Sequence, residues 1–144
     1  MPRNFLLSKN KMKLKKILQE IGQSPRYSAV LLDDKSKNLL IENYKDKFPS
    51  DWKIYAHHQT IDPFGLVRED LVGTPVNLLV THYGKSDKAF AVKVSGYKGP
   101  TNNAFPHVTI AVNVNGGGKP KDSNSITDWI KEQPIHLTGT IQNL

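Results

Sequence analysis

Phe105-Pro106-His107-Val108-Thr109-Ile110-Ala111-Val112 is the stretch on which the reading of this chain turns. Val108, Thr109, Ile110 and Val112 are β-branched, which favours a strand. Side chains alternate along a strand, so Val108, Ile110 and Val112 share one face and His107, Thr109 and Ala111 the other. One face is apolar and can bury. The other carries an imidazole and, two positions on, a hydroxyl. Ile54 to Ile61 (IYAHHQTI) repeats the arrangement: His58 and Thr60 share a face with Ile54 and Ala56. In both strands an isoleucine follows the threonine. On a regular strand His57 faces away from His58, so the two are not expected to chelate together.

The rest of the chain sets bounds on what these strands can do. Its 144 residues make one ordinary domain, and 38% hydrophobic content is enough for one core. It has no cysteine, which removes disulfides, thiolate metal sites and a cysteine nucleophile from consideration. No apolar run approaches the roughly 18–20 residues that span a membrane. Phe5-Leu6-Leu7 is too short for the apolar part of a signal peptide, so the expected location is the cytoplasm, of a cell or an infected host. Lys plus Arg outnumber Asp plus Glu by 20 to 13, a net charge of +7. That favours a polyanionic partner, although a solvated lysine surface has the same composition.

Taken in order, residues 1–25 read as a leader and a helix over Asn10–Ile21, with Leu14, Ile17, Leu18 and Ile21 at helical spacing. Residues 26–144 read as a single domain. A strand is expected at Arg26–Leu32, then a helix capped by Asp33 or Asp34 with Leu39, Leu40, Asn43 and Tyr44 about its inner stripe. Further strands are expected at Trp52–Ile61, Pro75–Tyr83, Ala89–Val94, Phe105–Val112 and Ile135–Leu144. A short helix is expected at Ile126–Glu132, broken by Pro134. Without regular βα alternation, the fold class is α+β with mainly antiparallel sheet.

Imidazoles titrate near neutrality, so one can act as base while another acts as acid. Two hydroxyls, one per strand, would hold two oxygens of a tetrahedral phosphoryl group between them. This scheme needs no metal or cofactor, and no cluster with metal-ligand spacing occurs in the sequence. His136-Leu137-Thr138 also fits His-x-Thr, but Gly139 follows it, and it reads as structural; His82 reads the same way. The glycines of Gly116–Gly118 would allow close approach to a ligand, with Lys119 or Lys121 neutralising a phosphate. Tyr27, Tyr55, Tyr83 and Phe105 are candidates for stacking on a base, or for core packing.

His57–Ile61 (HHQTI) and His107–Ile110 (HVTI) resemble the paired motifs of the 2H phosphoesterase superfamily. The resemblance covers most of residues 26–144. It implies a bilobal fold, with two pseudo-symmetric antiparallel sheets and flanking helices around a central cleft. It also implies metal-independent phosphodiester chemistry. His58 and His107 would be the acid/base pair, facing each other across one cleft that excludes His136, and Thr60 and Thr109 would bind phosphate. The implied substrates are an RNA 2′,3′-cyclic phosphate or a cyclic oligonucleotide signal, as for phage enzymes of the anti-CBASS kind. The residues leave open which histidine is acid and which is base. A non-catalytic basic RNA- or nucleotide-binding module is the alternative reading of the same charge.

Overall fold

A computed structural model describes residues 26–103 and 105–144; the leader and the expected helix at Asn10–Ile21 lie outside the described residues. The elements run β1 (Ser28–Leu32), α1 (Asp34–Tyr44), β2 (Lys53–Ile54), β3 (His58–Asp62), β4 (Pro75–Lys85), β5 (Ala89–Ser95), β6 (His107–Val112) and β7 (Trp129–Asn143), with short 3₁₀ turns between some of them. The strands form one sheet in the order β2-β6-β3-β1-β7-β4-β5, and β5 pairs back onto β6. Six strands therefore close into a barrel, with β2 continuing the line of β3 along β6. Every strand pairing is antiparallel. The protein is mixed α/β and dominated by antiparallel sheet, as its pattern suggests. The two separate sheets expected in two lobes are instead one sheet, because the β1–β7 and β5–β6 ladders join all the strands.

Alternation decides what fills the barrel. Val30 pairs with Gln59 on one side and Ile141 on the other, and Gln59 pairs with Val108, so these four lie on the same face. Val108, Ile110, Ile61, Leu78, Val80, Val92 and Leu137 complete a core in which each is at most 1% exposed. α1 begins where Asp33 accepts the Ser36 N–H at 2.8 Å. Ser36, Leu40 and Tyr44, four residues apart, are its buried stripe, and Tyr44 packs against Phe90 with ring centroids 5.4 Å apart. Leu39, expected at that stripe, is exposed.

Gln59 is the polar member of that inner ring. It is 2% exposed and its Oε1 has no hydrogen-bond partner. A buried unpaired acceptor costs about 1–3 kcal/mol. Gln59→Leu is therefore expected to raise the unfolding free energy by about that amount in urea denaturation at pH 7. A loss of stability would mean that the amide is held by contacts worth more than its desolvation.

Two local expectations change. The strand expected over Trp52–Ile61 is broken. From Ile54 to Gln59 the chain advances five residues while β6 advances three, from Ala111 to Val108. The two extra residues form a bulge at Ala56, which is fully buried at φ 54. The helix expected at Ile126–Glu132 is absent: Trp129, Ile130 and Lys131 pair with Gly84, Tyr83 and His82. Pro134 breaks nothing, because it sits where the β4–β7 register slips and no ladder hydrogen bond is asked of it.

Candidate active site

Gln59 and Val108 lie opposite each other and point into the barrel, so their neighbours point outward. Continuing that antiparallel register one residue either way places His58 opposite Thr109 and Thr60 opposite His107. Four polar side chains thus occupy the corners of one patch on two hydrogen-bonded strands. The histidines sit on a diagonal, which on a sheet is a separation of about 7–8 Å. All four line one cavity of about 500 Å³, walled also by Tyr27, Tyr55, His57, Asn102, Asn103, Pro120, Lys121 and Asn124.

His107 is 9% exposed. Its Nδ1 donates to the Phe105 carbonyl at 2.8 Å if the proton sits there, which leaves Nε2 free to face the cavity. The Phe105 ring packs 5.0 Å from the imidazole and 5.3 Å from Trp129. Burial lowers the pKa of His107, and the carbonyl opposes that shift. His58 is pushed further, to about 4, first by burial and then by the neighbouring His57 and His107. Tyr27 covers it, with ring centroids 5.5 Å apart. Both imidazoles are thus biased toward the neutral form in the free protein.

The threonines are held differently. Thr109 Oγ1 lies 2.8 Å from the hydroxyl of Ser123, a fully buried residue of the 3₁₀ turn Pro120–Ser125. The Thr60 carbonyl accepts from the Asn103 side chain at 3.1 Å, tying the loop before β6 to β3. Ser123 reads in the sequence only as a candidate cap, with Ser125, for the helix expected at Ile126–Glu132, and nothing there places Ser123, Asn102 or Asn103 at a site, since polar loop residues carry no period.

His57 also lines the cavity, with its ring 6.0 Å from that of His58. The expectation that it faces away assumed a regular strand, and the Ala56 bulge removes that regularity. Among the other candidates, Lys121 lines the cavity and Lys119 does not. The Lys119 N–H is fixed by Asp122 at 2.8 Å. The glycines are used by the fold rather than by an approach to this cavity. Gly117 has φ +84, and a Cβ on Gly118 would lie 2.6 Å from the Lys88 carbonyl oxygen. His136 is exposed on β7 and lies 3.0 Å from Asn77 Oδ1, outside the cavity. Thr138 bonds Asp33 and Ser36, so the third His-x-Thr secures the start of α1. Tyr83 packs with Tyr44 and Phe90. No family model matches this chain, and no curated protein does. No helix among the described residues is long and apolar enough to cross a membrane.

Proposed function

We propose that this protein is a metal-independent phosphodiesterase of the 2H type, acting on an RNA 2′,3′-cyclic phosphate or a cyclic oligonucleotide signal. The observation that carries the proposal is the register of β3 against β6, which brings His58, Thr60, His107 and Thr109 to one cavity.

The phosphoryl group sits between the imidazoles, with two of its oxygens taking hydrogen bonds from Thr60 and Thr109. His58, with its pKa near 4, is neutral at pH 7 and serves as base. It takes the proton of the attacking water, or of a ribose 2′-hydroxyl, as that oxygen bonds to phosphorus. His107, whose Nδ1 faces a carbonyl that favours the imidazolium, serves as acid. Its Nε2 proton goes to the leaving oxygen as the phosphorus–oxygen bond breaks. With water the product of a cyclic phosphate is a phosphomonoester. With a 2′-hydroxyl attacking, a cyclic oligonucleotide opens to a linear chain ending in a 2′,3′-cyclic phosphate.

The test incubates the protein in EDTA with RNA ending in a cyclic phosphate and with cyclic oligonucleotides, and identifies products by mass. Turnover in chelator is the expected result. Salt-dependent binding without turnover would replace the proposal with the binding-module reading. A 2′-deoxy cyclic oligonucleotide is inert if the ribose attacks.

The acid/base assignment also fixes a pH profile. The free protein needs neutral His58 and protonated His107. kcat/KM is expected to fall below about pH 4 and to fall again as pH rises toward 6.5, since the His107 pKa is lowered from its usual value. A maximum above pH 7 would overturn the assignment.

A further inference from the structure

A second and larger cavity, about 970 Å³, opens at one end of the barrel. The ends of β1, β3, β4, β5 and β7 surround it, with Ile61, Leu71, Val76 and Ile141 as apolar wall. Two features make it more than a gap between strands. Ser28 lies at its inner wall, on the inward face of β1 two residues before Val30, fully buried and with no partner for its hydroxyl. Asp62 lines the cavity too, with one carboxylate oxygen taking the Asn102 amide at 2.8 Å and the other taking the Phe64 N–H at 3.0 Å. Lys98 is exposed at the rim.

The two cavities share a wall. Asn102 lines both, and β3 sends His58 and Thr60 to one and Ile61 and Asp62 to the other. A mostly apolar chamber with a carboxylate, an unused hydroxyl and a cationic rim suits a nucleoside: a flat base among aliphatic side chains, ribose hydroxyls near Asp62, a phosphate toward Lys98. We infer that the barrel mouth holds a second nucleotide of a cyclic oligonucleotide whose scissile phosphate lies between His58 and His107. This rests on the two-histidine reading and adds a second nucleotide subsite to it. A 2′,3′-cyclic mononucleotide needs only the smaller cavity, whereas a cyclic dinucleotide occupies both.

Binding separates this inference from catalysis. The full chain carrying His107→Ala is titrated with a cyclic dinucleotide and with a 2′,3′-cyclic mononucleotide, alone and with Leu71→Trp or Lys98→Glu added. Leu71→Trp fills the chamber, and Lys98→Glu reverses an exposed charge with no core to disturb. Each is expected to raise Kd for the cyclic dinucleotide at least about tenfold relative to the change for the mononucleotide. Equal changes for the two ligands, or none, would overturn the inference. Turnover by the wild-type protein is measured beside it: turnover with unchanged Kd ratios sinks the mouth site alone, and absent turnover with the expected ratios sinks the catalytic reading alone.

Discussion

Replacing His58 or His107 by alanine is expected to lower kcat/KM for a 2′,3′-cyclic phosphate by about 10²–10⁴-fold in EDTA, which is the usual contribution of one general acid or base. That is about 3–5 kcal/mol of transition-state stabilisation. The two losses are expected not to add, because an acid without its base supports only part of the proton transfer. His136→Ala is the control: its imidazole lies outside the cavity, on Asn77, and turnover is expected within twofold of wild type. Near-normal turnover in either of the first two variants would remove that histidine from the chemistry. Turnover in both would leave the patch on β3 and β6 without a catalytic role. Thr60→Val and Thr109→Val are expected to cost less than either histidine, since each removes one hydrogen bond to the phosphoryl group and leaves the proton path intact.

The second large effect concerns stability. Burial holds the folded-state pKa of His58 near 4, against about 6.5 in an unfolded chain. Between those values the unfolded chain binds a proton that the folded chain refuses. Stability is thus complete above about pH 6.5 and is lost as pH falls toward 4. From pH 7.5 to pH 4.5 this one group accounts for about 2–3 kcal/mol. His107, shifted in the same direction, adds to the loss. His58→Asn carries no titrating ring, so its loss of unfolding free energy over the same interval is expected to be smaller by about that amount. Urea denaturation of both proteins at the two pH values measures the difference. Equal losses would show that the His58 ring is solvated in the folded protein.

The strands that carry the candidate site are legible because alternation is a local property. Val108 and Ile110 bury, and His107 and Thr109 do not point with them, whatever closes around the strand. The helix start at Asp33 is legible for the same reason, since a capping carboxylate acts within three residues. What escaped the sequence depends on distant partners. Ala56 adopts a positive φ because β2 and β3 must both lie along β6 with two residues to spare, and nothing in IYAHHQTI signals that surplus. Trp129 to Glu132 reads as a helical turn, but β4 offers an unpaired edge and draws it into β7. The loop glycines read as a phosphate contact, and the fold itself uses them: Gly116 and Gly118 are crowded by Asn113 and Lys88, and Gly117 has a positive φ. Closure itself, the pairing of β5 with β6, joins segments whose ladder no single-strand pattern specifies.

That closure has a consequence for how such a protein diversifies. β3 is flanked by β6 and β1, and β6 by β5 on one side and by β2 and β3 on the other, so neither motif strand has a free edge. The two imidazoles are carried on strands that meet at the Gln59–Val108 pair and are each held on their other side by a longer ladder, β3 by β1 and β6 by β5. Under the two-histidine proposal, a substrate of a different shape is met by residues 97–103 and 120–124, loop segments that border the cavities and belong to no strand of the ring. On the two-histidine proposal, reaction and preference occupy separable parts of the chain. Exchanging those two segments should alter which molecule is accepted while the spacing of the proton-handling groups stays as it is.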